Sequence, residues 1–359
     1  MTIRALAAPV GLAALLALAP GALGSVRPAA APQAGAAAAV LVDVRTGRIL
    51  YDRDMHRPLP PASTTKILTA TLVLERLPLD RALTVGGIPA GMRTGATVGL
   101  QAGERWTVRE LLVAMLVGSA NDAALALAEG VTGSVDAFVA LMNARARQLG
   151  ARRSHFTNPH GLHDPAHVST AYDLAVITRH ALRHPALAAT VRMPAFTLER
   201  ADRPPQVLVN TNRLLERYPG ADGVKTGWTA AAGQTLVASA TREGWQLLAV
   251  VLRSRDMYRD AAHLLDYGFA TFAPTRVASR GQALATIVVG PRRERLPAVV
   301  PAEVVAVVRR GAVVSPRVTL RGDLRLPIAA GAPVGEVRFL EGRDVVARSV
   351  LVAARSVDR

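Results

Sequence analysis

Hydrophobic and polar positions follow a strand-like spacing in some parts of the chain and a helix-like spacing in others. Residues 38–53 alternate on either side of a Thr-Gly turn, which predicts a β-hairpin. Further along, apolar residues recur at helical spacing, and Thr107 and Glu110 have the spacing of a capping box. The predicted helices cover residues 63–77, 107–118, 121–131, 135–149 and 170–182.

The pattern changes after residue 220. Short apolar runs with close turns predict an antiparallel meander, and a helix over residues 257–269 follows it. Beyond residue 274 the helical period disappears, and Val-rich runs alternate with Gly and Pro. This order predicts an α+β fold, with one domain over residues 38–272 and a β-rich domain over residues 275–359. The predicted strands cover residues 223–228, 235–241, 245–252, 284–289, 304–308 and 313–320.

The N-terminus has the composition of a secretory signal. Arg4 precedes an uncharged Ala/Leu-rich run that extends to Val26, and the small residues Ala22 and Gly24 occupy the outer positions of a cleavage site. We predict a signal peptide over residues 1–24 and an Ala/Pro-rich linker over residues 25–37. The alternative is an uncleaved anchor, because the run is close to the length that spans a bilayer. The expected location is the periplasm, the extracellular face of the cytoplasmic membrane or the cell wall.

The composition excludes several kinds of site. The chain has no cysteine, which excludes disulfides, thiolate zinc sites and a cysteine nucleophile. Its formal net charge is +16, but aromatic residues make up only 4% and offer no platform for stacking nucleic-acid bases. The charge therefore indicates either a solvated basic face or an affinity for an anionic envelope surface. Half of it lies between Arg276 and Arg359, where 15 arginines oppose 7 acidic residues.

The scarcity of lysine singles out two positions. Of the 43 basic residues, only Lys66 and Lys225 are lysine. An arginine stays protonated, whereas a buried lysine can lose its proton. The two lysines are therefore candidates for roles that arginine cannot perform, although two lysines could also persist by chance.

Ser63 and Lys66 lie three residues apart at the predicted start of a helix. That spacing places both side chains on one face, so the amine can lie beside the hydroxyl. A serine hydroxyl needs a base to act as a nucleophile, and a lysine whose pKa is lowered by burial or by a nearby cation can serve. The alternative is that Ser63 only caps the helix.

Two further short motifs contain candidate functional groups. Ser119 can pass a proton and Asn121 can hold a substrate amide, although this segment is also typical of a helix–helix turn in which Asn121 caps the next helix. Lys225, Thr226 and Gly227 lie on a predicted strand. A cation and a hydroxyl there suit a substrate carboxylate, and the glycine permits a ligand to approach the backbone closely.

In this order, Ser-x-x-Lys, Ser-x-Asn and Lys-Thr-Gly resemble the motifs of penicillin-binding proteins and serine β-lactamases. The surrounding residues make the chain similar to the D-alanyl-D-alanine carboxypeptidases, the low-molecular-mass penicillin-binding proteins (serine DD-peptidases) of bacteria. The resemblance covers the chain from about residue 38 to its end. The segments that carry it are 61–66, 118–124, 158–162 with 169–171, 222–229 and 328–336.

The resemblance implies a catalytic domain of the serine β-lactamase and DD-peptidase type, followed by a C-terminal β-sandwich domain. It also implies that Ser63 forms an acyl-enzyme, with Lys66 as its base and Ser119 assisting. The backbone N–H groups of Ser63 and Trp228 would form the oxyanion hole. The residues implied to bind the substrate are Asn121, Lys225, Thr226, Gly227 and Trp228.

The chain departs from the family pattern at the position of a substrate-binding arginine. Relatives usually carry an arginine for the substrate carboxylate ten residues before the aromatic residue that is Tyr267 here. In this chain that position is Met257, with Arg255 and Arg259 on either side as candidates to replace it. The setting of His160 indicates a structural or site-lining role rather than a triad base. The remaining histidines lack a metal-ligand arrangement, so no metal or other cofactor is predicted.

The predicted activity is that of a serine-type D-Ala-D-Ala carboxypeptidase, a hydrolase of peptidoglycan synthesis, cell-wall biogenesis and cell shape. It would trim the terminal D-alanine of stem pentapeptides and bind penicillin covalently. The alternatives are a DD-endopeptidase or β-lactamase that uses the same site, and a non-catalytic wall-binding protein. The expected partners are the stem peptide and β-lactam inhibitors, with no nucleic acid and with peripheral association with the membrane or cell wall.

Overall fold

The structure, a computed structural model, describes residues 32, 34–200 and 203–358. The predicted signal peptide and most of the predicted linker lie outside the described residues. The described chain forms two compact units, one ending at Gly268 and the other beginning at Phe269. Within the described ranges no single helix is both long and apolar enough to cross a bilayer. One pair of helices, bent by 85°, reaches that length and composition only when both are counted together.

The first unit combines a sheet with a layer of helices. Its strands are β1 (Ala38–Asp43), β2 (Ile49–Arg53), β3 (Ala82–Thr84), β4 (Arg105–Thr107), β5 (Ala195–Leu198), β6 (Gln206–Val209), β7 (Ala221–Thr229), β8 (Gly233–Arg242) and β9 (Trp245–Ser254). Its helices are α1 (Lys66–Leu74), α2 (Gly87–Gly91), α3 (Val108–Leu116), α4 (Asn121–Thr132), α5 (Val135–Leu149), α6 (Ala171–Ala181), α7 (Pro185–Val191), α8 (Leu214–Arg217) and α9 (Met257–Thr271), the last of which continues into the second unit.

Five of these strands form an antiparallel sheet in the order β2-β1-β9-β8-β7. Residues 235–240 of β8 and 247–252 of β9 are buried, because both strands lie inside the sheet and its faces are covered. Helix α6 packs against β1 and β9. Helix α9 approaches the sheet through Gly268, where any side chain would overlap with Leu41 and Leu247. Strand β7 is left at one edge of the sheet.

Helix α1 is the centre of the helical layer. Every residue from Lys66 to Val73 is buried, as is typical of a helix that is apolar on all sides. Helices α3, α4, α5 and α6 pack around it. The predicted capping box is present at the start of α3, where Thr107 and Glu110 exchange hydrogen bonds between side chain and backbone.

The predicted hairpin, helices and meander are found in the predicted order, but two details are wrong. The helix predicted over residues 63–77 opens with a 3₁₀ turn at Ala62–Thr65, and its regular part covers only Lys66–Leu74. Asn121 does not cap α4, because Ala120 occupies the N-cap position and makes no side-chain cap. The short hairpins β3–β4 and β5–β6 are additional.

The second unit consists of strands in two sheets around its own core. The strands are β10 (Phe272–Ala278), β11 (Ala283–Val289), β12 (Glu294–Val299), β13 (Val304–Arg309), β14 (Val314–Leu320), β15 (Pro333–Glu341) and β16 (Asp344–Ala353). The larger sheet has the order β11-β12-β16-β15-β14, and β10 pairs with β13. Buried side chains of both sheets, such as Leu296, Val308 and Phe339, form one core. The predicted α+β class with a β-rich C-terminal region is confirmed.

Candidate active site

Ser63 lies in the 3₁₀ turn, which packs against β7 and β8. Residues three apart eclipse one another in a 3₁₀ turn, so Lys66 Nζ lies 3.0 Å from Ser63 Oγ. Ala62, the preceding residue, has a φ of 49°, a left-handed conformation that is unfavourable for a residue with a Cβ. The turn is held in place by neighbouring side chains, since Thr235 Oγ1 donates a hydrogen bond of 3.2 Å to the Pro61 carbonyl.

The Lys66 side chain is fully buried and has three polar neighbours. Its Nζ lies 2.7 Å from Asn121 Oδ1, 2.8 Å from the carbonyl oxygen of His160 and 3.0 Å from Ser63 Oγ. The carbonyl oxygen can only accept a hydrogen bond. Asn121 Nδ2 donates to the Thr94 carbonyl at 2.9 Å, so its Oδ1 is the atom that faces the lysine. Two of the three contacts therefore each use an N–H group of Lys66.

In the third contact, between Lys66 Nζ and Ser63 Oγ, the protonation state of Lys66 decides which atom is the donor. Burial holds the pKa of Lys66 well below its ordinary value, and the positive charge of Lys225 lowers it further, against an opposing effect of Asp122. A neutral amine has two N–H groups and one lone pair. With both N–H groups directed at Asn121 and His160, the lone pair faces the Ser63 hydroxyl, which then donates to it. This arrangement fits a general base for Ser63.

His160 takes part through its backbone. The carbonyl contact to Lys66 was not found by sequence analysis, because every residue type offers a carbonyl and no side-chain signal marks it. Burial is the main cause that lowers the pKa of the His160 imidazole to about 3, so the ring is neutral. Its Nδ1 accepts a hydrogen bond of 3.2 Å from the Leu162 N–H. The ring therefore stabilises the loop that contains Leu162, which is the structural role predicted for His160.

His167 supports the turn that carries Ser63, a role that sequence analysis missed. Its Nδ1 accepts the backbone N–H of Thr157 at 3.0 Å, so the proton of the neutral ring is on Nε2. Nε2 donates to Thr65 Oγ1 at 2.8 Å. Burial lowers the pKa of His167 to about 4, which keeps this tautomer uncharged. No motif spacing indicates this contact, because Thr65 and His167 are distant in the sequence.

The loop between α3 and α4 places the second motif beside Lys66. Ser119 is buried and has a φ of 59°, another left-handed non-glycine residue. Its side chain makes no hydrogen bond to any described residue, so the structure does not link Ser119 to Ser63 or Lys66 directly. Asp122 accepts backbone hydrogen bonds of 3.1 Å from Val98 and from Leu100. These contacts fix the loop whose Thr94 carbonyl orients Asn121.

Strand β7 forms the other side of the site. The Lys225 ammonium is buried and donates to the Thr226 carbonyl at 3.1 Å, and burial lowers its pKa to about 7. Thr226 Oγ1 lies 2.5 Å from Thr211 Oγ1. Trp228 is 68% exposed at the open edge of the sheet. The strand thus offers a cation, a hydroxyl pair and an unpaired backbone edge to an extended ligand.

Gly227 allows β7 to lie directly against the nucleophile. A Cβ atom at this position would lie 2.8 Å from the Ser63 backbone nitrogen and 2.5 Å from Thr235 Oγ1. Both distances are too short for a real side chain. Glycine is therefore required for the close approach of the two segments whose N–H groups are predicted to form the oxyanion hole.

The candidates for a carboxylate-binding arginine are not held at this site by hydrogen bonds. Arg255 and Arg259 are both exposed, and neither guanidinium donates a hydrogen bond to another described residue. The intervening Met257 uses its backbone N–H to donate to Gln234 Oε1 at 3.1 Å. Replacement of the arginine by either neighbour remains a prediction.

One group of side chains away from this site could reach a common metal ion. The ligand atoms of Glu75, His180 and His184 lie within 4.8 Å of one another. However, Arg145 Nε donates to Glu75 at 3.1 Å, and the same carboxylate lies 2.8 Å from His180 Nε2. A cation placed there would face the guanidinium of Arg145. The group is therefore an ion-pair network as it stands. Sequence analysis did not anticipate it, because Glu75 is distant from the two histidines along the chain.

Comparison with known proteins agrees with the motif pattern. Residues 25–256 match the family model of D-alanyl-D-alanine carboxypeptidases. The chain is 30% identical to D-alanyl-D-alanine carboxypeptidase DacF of Bacillus subtilis, over 90% of this chain and 86% of the relative. It is 39% identical to the carboxypeptidase DacB2 of Mycobacterium tuberculosis, over 67% of this chain and 84% of that one. Penicillin binding protein 5 from Haemophilus influenzae has a similar structure, with a TM-score of 0.79, 29% identity, and coverage of 92% and 99%.

Proposed function

Since the chain belongs to the D-alanyl-D-alanine carboxypeptidase family, and so is a serine-type peptidase, we propose that it removes the terminal D-alanine of peptidoglycan stem pentapeptides through an acyl-enzyme on Ser63. Covalent capture of β-lactams by the same hydroxyl is part of the proposal. One observation supports it above all: the Nζ atom of the buried Lys66 lies 3.0 Å from Ser63 Oγ.

In the proposed reaction, Ser63 Oγ attacks the carbonyl carbon of the penultimate D-alanine while its proton passes to Lys66. The N–H groups of Ser63 and Trp228 stabilise the negative charge that develops on the carbonyl oxygen. Collapse of the tetrahedral intermediate breaks the peptide bond, and the proton moves to the leaving amine of D-alanine, with Ser119 as a relay. Water then attacks the ester, which frees the shortened peptide and restores the Ser63 hydroxyl.

Lys225 has two roles in this proposal. Its charge, with the Thr226 hydroxyl, binds the terminal carboxylate of the substrate, and a bound carboxylate favours the charged form of a lysine whose pKa is about 7. The same charge helps to keep Lys66 neutral. Asn121 holds Lys66 in the free enzyme, so it would have to exchange a contact in order to bind a substrate amide.

The experiment that tests this function measures D-alanine released from a pentapeptide ending in D-alanyl-D-alanine, together with mass spectrometry after penicillin treatment. We expect one D-alanine per peptide and a single stable penicillin adduct on the peptide that contains Ser63. Fast penicillin turnover would indicate a β-lactamase instead, and preferential cleavage of cross-linked dimers would indicate an endopeptidase. If neither D-alanine release nor an adduct is detected, the non-catalytic wall-binding alternative gains support.

Substituting Gly227 with alanine should lower kcat/KM for D-alanine release by about 100-fold, because the new Cβ would push β7 away from Ser63 by part of an ångström or more. The matched control is Gly87→Ala, since no atom lies within 4 Å of a Cβ at that position. Both variants are compared by steady-state kinetics and thermal unfolding. Equal activity of the two variants would show that the close approach is not needed.

We also propose that the protein acts outside the cytoplasmic membrane, in the periplasm, at the outer face of the membrane or in the cell wall. The signal-like composition of residues 1–24 supports this location, as does the proposed substrate, since stem peptides belong to the wall. Fractionation of cells that express the full chain checks it, and retention in the cytoplasm would contradict it.

A further inference from the structure

One face of the C-terminal five-stranded sheet carries a row of three arginines. Arg317 of β14 lies directly opposite Arg338 of β15, and Arg338 lies directly opposite Arg348 of β16. Residues opposite one another in antiparallel strands share a face, so three guanidinium groups stand side by side across three neighbouring strands. All three residues are exposed. On the other face, Val337 and Phe339 are buried in the core of the unit.

The charge of this row is only partly compensated. Arg338 has an ion pair of 2.7 Å with Glu336, but both side chains are close to half exposed, so water screens the pair. Arg317 and Arg348 form no ion pair with any described residue. Like charges placed directly opposite one another weaken an antiparallel pair. Protection of an edge strand would explain Arg317 on β14, but it would not explain the two arginines on the inner strands.

The row continues into an open concavity at the end of strands β14 and β15. It has a volume of about 480 Å³ and is lined by Ser315, Pro316, Arg317, Leu340, Gly342 and Arg343. Arg343 is exposed and forms no ion pair within the described chain. Two guanidinium groups and a serine hydroxyl around a concavity suit the oxygen atoms of a phosphate group.

Apolar side chains flank the arginines on the same face. Leu340 pairs with Val345 on one side of the row, and Glu336 pairs with Val350 on the other. Val345 is 41% exposed and Val350 is 43% exposed. A dissolved anionic polymer would gain little from contact with these valines. The interface of a bilayer accommodates both kinds of group, since basic side chains contact headgroup phosphates and apolar side chains enter the acyl boundary.

We propose that this basic face, defined by Arg317, Arg338, Arg348 and Arg343 with Val345 and Val350, docks on an anionic phospholipid bilayer. The excess of arginine between Arg276 and Arg359, 15 against 7 acidic residues, provides the longer-range attraction to such a surface. The proposal concerns a surface of the C-terminal unit, so it goes beyond the peptidase activity and does not depend on it.

The test measures binding of the full chain to vesicles of mixed phosphatidylglycerol and phosphatidylcholine, and to vesicles of phosphatidylcholine alone, by flotation. We expect much tighter binding to the anionic vesicles than to those of phosphatidylcholine alone, to which only the apolar N-terminal run can contribute. The triple variant Arg317→Gln, Arg338→Gln and Arg348→Gln should bind about 100-fold more weakly, because each basic residue near an anionic surface contributes about fivefold to partitioning. Added salt should weaken binding of the unaltered protein more steeply than binding of the variant.

The matched control removes the same charge elsewhere in the unit. Arg280→Gln, Arg292→Gln and Arg293→Gln replace exposed residues in the turns at either end of β11, at the opposite edge of the sheet, and should leave most of the binding intact. The apolar N-terminal run is common to all variants.

Equal losses in both triple variants would reveal a general charge effect and overturn the proposal. Binding of soluble inorganic polyphosphate without binding of anionic vesicles would also overturn it. If the row variant unfolds early, the single variants Arg317→Gln and Arg348→Gln, each expected to lose about fivefold, decide the question.

Discussion

Replacing Ser63 with alanine should abolish D-alanine release and prevent labelling by penicillin. We expect kcat to fall by at least about 10⁴-fold, the scale seen when a nucleophile is removed from an enzyme whose other groups stay in place. Within the described chain, the polar neighbours of Lys66 Nζ are Ser63 Oγ, Asn121 Oδ1 and the His160 carbonyl. Of these, only the serine oxygen can act as a nucleophile after losing a proton, so no neighbour can replace it.

The Ser63→Ala variant should still bind the pentapeptide, which separates loss of chemistry from loss of the fold. Isothermal titration calorimetry measures the dissociation constant, and an end-point assay measures released D-alanine. Ser349→Ala, in the second unit, is the matched control and should behave like the unaltered protein. If Ser63→Ala released D-alanine at more than about 1% of the normal rate, another group would have to be the nucleophile.

Much of the fold could be predicted because patterns among residues close in the sequence indicate its helices and strands. The capping box of α3 and the hairpin of β1 and β2 each involve residues close in the sequence, and both are found in the structure. The hairpins β3–β4 and β5–β6 are too short, at three or four residues a strand, to produce a recognisable alternation. The 3₁₀ turn at Ala62–Thr65 has no separate signal either, because its residues also fit the start of an α-helix.

The site was only partly predictable for a related reason. Side chains that contribute their own chemistry, such as Ser63 and Lys66, stand in motifs whose spacing can be recognised. The contacts that orient the Lys66 amine come from a backbone carbonyl at His160 and from the position of Asn121 relative to Thr94. Contacts through backbone groups, or between residues far apart in the sequence, cannot be predicted from composition or motif spacing. Tertiary structure was needed to show which polar groups surround the Lys66 amine.

Substituting Lys66 with arginine should lower the rate of acylation of Ser63 by about 10³- to 10⁴-fold, the upper range for loss of a general base. A guanidinium keeps its proton, so it cannot accept one from the hydroxyl even when buried. Stopped-flow measurement of penicillin acylation isolates this step from later hydrolysis. An arginine variant that acylates as fast as the unaltered protein would rule out the amine as the base.

Lys225→Arg is the matched control, because Lys225 is the only other lysine and is equally buried. The role proposed for it requires a positive charge rather than a neutral amine, and arginine retains that charge. The larger guanidinium strains the packing in both variants. We therefore expect Lys225→Arg to lose much less acylation rate than Lys66→Arg. Similar losses would mean that crowding, rather than the lost base, explains the effect.

The pH dependence of acylation provides a second and independent measure of the same lysine. Because burial and the charge of Lys225 lower the pKa of Lys66, the amine is neutral above that lowered pKa and charged below it. The acylation rate should therefore rise with pH through the pKa of Lys66, until loss of the Lys225 proton, whose pKa is about 7, weakens binding of the substrate carboxylate. In Lys225→Met the repulsion between the two charges is gone, protonated Lys66 is easier to form, and the acid limb should move to higher pH. Lys225→Arg retains the charge and should leave the limb near its original position. An acid limb that stays in place in Lys225→Met would show that Lys225 does not control the proton on Lys66.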